Sequence, residues 1–393
     1  MTHPTQASDV ASPSRRYASN LVLGIGFGLT GAGTVMLGVL LPRLSADWGL
    51  RDDAAGLLLF LQFLGSSAGA LLSTANRVRS VAIGYALLVA MAAALAFTGP
   101  HLAFAVFLFF GLGLGMAMTS TSLLFSDRYG HDRAAVLERL NFAWATGAAA
   151  GPLLIAPFLR SSSLRPLYFL LTGLFLLLLL WILVRERNLS PTQSPLRPLQ
   201  THAPPHLRVL VPLVVLAMCS VGVESSLSGW LSTYAHRADR AGLGGAAIAT
   251  SVFWMGLMAS RFAFSTRLLQ FVGRRRVLLA NCWGAAISVG LLIAADTTWS
   301  IRVAAAIAGL CVGPLYPLLL SYLLERTPRG WVFAVAGLGS AIFPWLTGAL
   351  SARMGSLRFG LLAPAAGALL MMTLSSATRR SLSRVESAHG TLG

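Results

Sequence analysis

The sequence contains no lysine, and Asp, Glu and Arg together make up 11% of its 393 residues. That is less than half the roughly 25% charge of an ordinary soluble domain. With 55% hydrophobic residues and a mean hydropathy of +0.71, a chain this poor in charge could not cover its apolar surface in water. Cysteine is scarce too. Cys219, Cys282 and Cys311 lie inside apolar runs with no CxxC spacing, so they read as small core residues and imply neither a disulfide framework nor a metal site. No HExxH occurs, and His101, His131 and His236 are assigned to loops. An intramembrane enzyme would need a nucleophile–base or metal constellation, and no such set is present; the chain is therefore not read as an enzyme. Nothing in it calls for a cofactor.

What the sequence has in abundance is apolar runs about 20 residues long, the length that crosses a bilayer as a helix. They fall at 20–42, 54–75, 79–98, 102–126, 134–159 and 165–184, and again at 208–234, 243–268, 276–295, 301–325, 330–352 and 357–378. Twelve such spans use nearly the whole chain and predict an all-α membrane protein. The only long polar stretch inside the chain, 185–207, holds five prolines and reads as a linker between two six-helix units, 20–184 and 208–378. Residues 1–19 and 379–393 are the tails. Ser14-Arg15-Arg16 before the first run resembles a twin-arginine export signal, but the run from Asn20 to Leu41 is too long for a signal core and eleven more follow.

The net charge of +17 is carried by 30 arginines. Such a charge on a soluble chain would suggest nucleic acid, but here the arginines sit between the spans. If the N-terminus is cytoplasmic, 20 arginines lie in inside segments and 9 in outside ones, with Arg261 within a span. The excess of basic residues places both termini in the cytoplasm, in a bacterial-type inner membrane.

The halves resemble each other at a nearly constant offset. Gly69-Ala-Leu-Leu-Ser-Thr-Ala-Asn-Arg77 ends the second span, and Thr266-Arg-Leu-Leu-Gln-Phe-Val-Gly-Arg274 ends the eighth, 197 positions later. Gly111/Gly115 and Asp127-Arg128 in the fourth span match Gly309/Gly313 and Glu325-Arg326 in the tenth, 198 later. This predicts a duplicated unit with parallel halves.

Twelve spans in two halves, a central linker and a basic loop after spans two and eight resemble the major facilitator superfamily, whose transporters are built from internal repeats. The superfamily loop pattern G-x-L-x-D-R-x-G-R-R is degenerate in both copies: Ser73 and Thr74 replace the acid and Arg in the first, while the second keeps Gly273-Arg274-Arg275. Arg139-Leu-Asn141-Phe-Ala, Gly222-Val-Glu224-Ser-Ser-Leu-Ser-Gly-Trp230, Gly313-Pro-Leu-Tyr-Pro317 and Gly337-x-Gly-x-Ala-x-x-Pro344-Trp345 look like the fucose–galactose–gluconate proton symporters and their glucose-transporting relatives. The resemblance implies uptake of a neutral monosaccharide by alternating access, with a proton or sodium ion as possible partner and the chain working as a monomer. Gly38 and Met118 stand where that branch carries coupling acids, so those roles do not transfer and plain facilitated diffusion stays open. A drug or metabolite exporter of the same fold is the alternative, and a non-transporting sensor the remaining one.

Among individual residues, Glu224 is the one acid well inside a span, where a charge costs about 3 kcal/mol or more. Ala217, Ser220, Glu224 and Ser228 fall on one helical face, which aims Glu224 at a polar interior as sugar ligand, coupling group or both. Gln62, Asn141 and Asn281 offer amide donors and acceptors that suit hydroxyls; the bland reading is interhelical bonding. Trp230 and Trp345 could stack on a sugar ring. Arg261 is expected to snorkel toward the interface, with a gate or anion site as the alternative. Asp127 and Glu325, with Arg77, Arg79, Arg274 and Arg275, form a candidate cytoplasmic gate. Gly26-Phe-Gly-Leu-Thr-Gly31 and Gly65-Ser-Ser67-Ala-Gly69 mimic a nucleotide loop and a hydrolase elbow, but no strand precedes either. Gly65/Gly69, Gly111/Gly115 and Gly309/Gly313 read instead as small-residue pairs that let helices approach.

Overall fold

The computed structural model describes residues 13–73, 76–129, 133–185, 207–238, 242–265, 271–324 and 331–377. Glu325, nearly all of the 185–207 linker and most of both tails lie outside the described residues. The described chain is all helix apart from short turns. Twelve helices are long and apolar enough to cross a membrane: Asn20–Trp48, Asp52–Leu71, Arg77–Leu95, Pro100–Tyr129, Ala135–Arg160, Arg165–Arg185, Leu210–Ala238, Leu243–Phe264, Arg274–Ala294, Thr298–Leu323, Val335–Met354 and Leu357–Ser376. They are numbered here as spans one to twelve. Span one continues six residues beyond the expected limit, carrying Pro42 inside the helix, and its helix begins at Pro13. His101 and His236 are not in loops: they occupy the first turn of span four and the last turn of span seven.

The face of the bundle that bears the two ends of the described chain is called the terminal face, and the opposite one the far face. Within the first half, spans one and five, two and four, three and four, and three and six pack together. The second half repeats the pattern with seven and eleven, eight and ten, nine and ten, and nine and twelve. Between halves, span two packs on eleven, five on eight, and one on seven. The same pairings recur in both halves, which is what a duplicated six-helix unit produces.

Glycine makes the pairings inside each half close. A methyl group on Gly65, Gly69, Gly111 or Gly115 would collide with the backbone carbonyl of Leu108, Leu112, Gln62 or Ser66 across the span two–span four seam. Gly309 meets Phe253 O in the equivalent span eight–span ten seam. Two of the three glycines of the nucleotide-loop mimic do the same work between spans one and five: Gly31 abuts Trp144 O, and Gly28 O abuts Gly147, while Gly26 faces Tyr85 of span three. In a bilayer, helix association has no hydrophobic gain and depends on dispersion contacts that only small residues permit.

A substitution pair tests this. Gly111→Ala should destabilise the protein by about 1–3 kcal/mol, because the seam must open to admit the methyl group. Gly173→Ala, where nothing lies within 4 Å, should be neutral or stabilising by roughly 0.5–1 kcal/mol. Thermal midpoints of the two purified variants, compared with wild type, provide the check.

Candidate functional site

The site is built where spans seven, eight and ten meet. Span ten is interrupted into two helices, Thr298–Val312 and Leu315–Leu324, by Pro314 and Pro317. Pro317 has no N–H, so the Gly313 carbonyl four residues earlier loses its helical partner. Arg261 of span eight supplies the replacement, donating Nε to Gly313 O at 3.1 Å. Its Nη2 donates to Glu224 Oε2 of span seven at 3.0 Å. Arg261 therefore turns inward to an acid instead of snorkelling to the interface, because an unpaired Glu224 and an orphaned carbonyl both lie within reach. The pair is not sealed: 25% of the Arg261 side chain and 15% of that of Glu224 remain accessible. Tyr316, half-buried on span ten, lies in the electrostatic reach of both.

One turn from Glu224 toward the far face, Ser228 accepts a bond from Trp254 Nε1 at 2.9 Å. Trp254 then meets Trp144 of span five edge to face, with centroids 5.1 Å apart. This contact crosses between the halves, as does Thr146 to Met258 Sδ at 3.7 Å. Trp144 Nε1 is buried without a partner. Beyond the tryptophans the far face is closed. Gly38 packs against Gly229, where a Cβ would lie 2.8 Å from Gly229 Cα. Gly56 packs against Gly348 at 3.2 Å by the same measure. Asp52 of span two takes both terminal nitrogens of Arg237 of span seven at 2.7 Å and the Ser351 hydroxyl of span eleven at 2.5 Å. A bidentate guanidinium–carboxylate contact fixes geometry as well as charge.

The other sequence candidates separate. Gln62 is buried, donates to Thr34 O at 2.8 Å and keeps Oε1 without a partner. Asn141 is exposed on span five, about one turn on the terminal side of Trp144. Asn281 is buried and bonds Val277 O of its own helix at 2.8 Å. Trp230 is fully buried and donates to Pro344 O at 2.8 Å, tying span seven to eleven. Trp345 is 40% exposed, with its ring 6.4 Å from Phe60 of span two. Asp127 does meet Arg77, at 3.6 Å, but both belong to the first half, so this pair does not itself bridge the halves. Arg274 lies over the Tyr322 ring at 5.6 Å within the second half. Arg79 is exposed and Arg275 half-buried.

Two features escaped the sequence reading. Glu224 and Arg261 are opposite charges deep inside spans, and that alone should have paired them. The Asp52–Arg237 contact joins a first-turn acid to a last-turn arginine at the same face, a placement visible once the spans are drawn antiparallel.

Comparison with known proteins agrees with this architecture. A twelve-span, two-fold transporter fold is what the geometry defines. The model of the Major Facilitator Superfamily matches residues 23–332, and the chain belongs to that family of membrane transporters. No curated relative matches at the sequence level. Among solved structures, it is similar to a bacterial homolog of the human lysosomal transporter Spinster, in an inward-facing and occupied conformation, at 15% identity and TM-score 0.70, covering 94% of this chain and 98% of that one. A D-xylose–proton symporter gives 17% identity and TM-score 0.70, covering 91% and 97%. A POT peptide transporter bound to a thioalcohol-conjugated peptide gives 12% and TM-score 0.77, covering 92% and 96%. At these identities the likeness is one of fold.

Two outcomes are expected. Arg261→Leu should cost about 3 kcal/mol by leaving Glu224 uncompensated, and adding Glu224→Leu should restore most of that loss; unfolding of the three variants in one detergent measures it. Gly348→Leu, whose side chain would press on the Asp52 carbonyl, should hold the far face apart. Spin labels at Asp53 and Arg353 should then read a longer distance than in wild type.

Proposed function

We propose that the chain carries a small, net-neutral, hydroxyl-rich solute, best a monosaccharide, by alternating access between its two halves. Basic residues concentrate on the terminal face, which supports a cytoplasmic terminal face and, with it, a conformation closed to the outside. The observation that carries the reading is the Glu224–Arg261 pair, accessible beside a cross-half tryptophan contact. Together the two side chains add no net charge, so a charged solute gains nothing from the pair as a whole. They do offer carboxylate acceptors beside guanidinium donors, which match vicinal hydroxyls. Trp144, the half-buried ring of the pair, supplies an apolar wall for a sugar ring, and the buried Trp254 backs it. Asn141 and the unpartnered Oε1 of Gln62 are the next polar groups we assign to the path. Trp230 and Asn281 have their polar groups engaged in bonds within the second half, and we give them supporting roles only.

Glu224 also provides a coupling device. Binding a proton removes its charge and releases Arg261, which would then hold only the Gly313 carbonyl. Solute hydroxyls can take the vacated donors, so proton and solute would favour the same state. No acid stands at Gly38 or Met118, so Glu224 would act without the partners used by the sugar–proton symporters that the sequence resembles.

The second reading, export of lipophilic compounds, has its own observation: Trp144, Trp254 and Met258 line the cross-half contact with apolar and polarisable surface. Uptake of labelled hexoses and deoxyhexoses into proteoliposomes separates the cases, with and without an inward proton gradient. Saturable uptake that needs the gradient, and loses that need in Glu224→Gln, is the expected result. Uptake indifferent to the gradient would make the protein a facilitator. Folded protein that moves no sugar would overturn the sugar assignment, and resistance to lipophilic cations on overexpression would favour export.

A further inference from the structure

A polar recess of about 370 Å³ opens at the far face of the first half, away from the central pair. The end of span one, the turn between spans three and four, and the turn between spans five and six form its walls; Asp47, Trp48, Thr98, Ser162, Arg165 and Tyr168 are among the lining residues. Those walls are built. Arg43 holds Asp47 at 2.7 Å and donates to the carbonyls of Leu159, Ser161 and Ser162 at 3.2, 3.0 and 3.3 Å. Arg165 fixes its Nε on Ala96 O at 3.1 Å and lies over the Phe97 ring at 6.0 Å.

The charges do not balance. Asp47 is already matched by Arg43, whereas Arg165 is exposed and makes no ion pair among the described residues. Its outer guanidinium nitrogens are free to donate in parallel, the arrangement that grips a phosphate or carboxylate. The helices of spans four and six both begin beside the recess, at Pro100 and Arg165, so two positive helix ends add to the same field. Tyr168, only 4% exposed, lines the recess, and its hydroxyl, buried in the wall, has no partner among the described residues. A buried hydroxyl left unbonded costs about 1–3 kcal/mol, which an oxygen-rich ligand would recover.

The surroundings specify what carries the anion. Phe97, in the turn between spans three and four, is 74% exposed and meets the half-exposed Phe169 of span six edge to face at 6.0 Å, with Leu102 of span four and Leu170 of span six also exposed. Donors for an anion at the end of the spans, bordered by exposed aromatic and aliphatic surface, match the depth at which a phosphodiester meets its acyl chains. We infer that this recess is a phospholipid headgroup site, with the phosphate on Arg165 and Tyr168 and the chains along Phe97 and Phe169. It would tether the first half to the far-side leaflet while the second half moves.

Thermal unfolding of the purified full chain in detergent, titrated with phosphatidylglycerol or with inorganic phosphate, tests the assignment. Phosphatidylglycerol should raise the wild-type midpoint saturably, and Arg165→Gln should need roughly tenfold more lipid or beyond for the same effect. Tyr168→Phe removes a hydroxyl that has no partner, so its lipid-free midpoint should match or exceed wild type while its response to lipid weakens. That variant decides the matter if Arg165→Gln does not fold. A phosphate response equal to the lipid response would overturn the lipid assignment in favour of a free anion. Equal lipid responses in wild type and Tyr168→Phe, together with Arg165→Gln where it folds, would overturn the site itself.

Discussion

Helices in a bilayer gain no hydrophobic energy by touching one another, so this fold depends on how closely their backbones can approach. Inside each half, glycines bring carbonyls to distances that no side chain would permit, as at Gly111 on Gln62 and Gly309 on Phe253. These seams hold the spans of each six-helix half together. Glycine also sets the contact between the halves, at Gly38 on Gly229 and Gly56 on Gly348. On the alternating-access reading proposed above it would serve a different end there, because these surfaces would part when the far face opens. Close approach without interlocking side chains gives good dispersion contact in the closed state and no knob to withdraw on opening.

The same low-dielectric setting gives the charged groups their weight. Glu224 alone would be costly at this depth, and Arg261 alone equally so. Together they form a compact neutral unit, anchored by a carbonyl that Pro317 has freed from its helix. The proline, the broken span and the arginine thus belong to one chain of cause: removing one N–H creates the acceptor that orients the cation that balances the acid. The Asp52–Arg237–Ser351 contact at the far face follows a related logic, but Arg237 is partly exposed there, where water can replace each partner. It is the more readily exchanged of the two ion pairs.

Much of this was legible in the residues. Run length gave twelve spans, arginine placement gave a topology to propose, and the near-constant offset between halves matches the repeated pairing of spans. The glycine pairs read as packing devices, and the structure puts five of those six glycines nearest to a backbone carbonyl of the facing helix. The site was harder. Hydropathy places Glu224 inside a span but says nothing of which span faces it, so Arg261 is expected to snorkel to the interface, with a gate or anion site as the alternative, although its partner lies 37 residues away in sequence. Trp230 shows the opposite failure: its place in a family-like stretch suggested ligand stacking, whereas the Pro344 carbonyl takes its N–H. An aromatic beside a proline can match a motif for structural reasons, and only the third dimension separates that from recognition.

Gly38 ties these strands together. The sugar symporters that the sequence resembles carry an acid at the aligned place, and its loss could be read as a simple subtraction of coupling chemistry. In this chain the position is a packing site: even a methyl carbon there would come within 2.8 Å of Gly229 Cα and 2.9 Å of two carbonyl oxygens. A carboxylate could occupy it only if spans one and seven stood farther apart. Gly38 therefore goes with close packing of spans one and seven, while the deep acid of this chain, Glu224, stands in span seven, where Arg261 balances it. On the reading proposed above, coupling and closure, which a span-one acid would place on one residue, would be divided between Glu224 in the interior and the glycine contacts outside it.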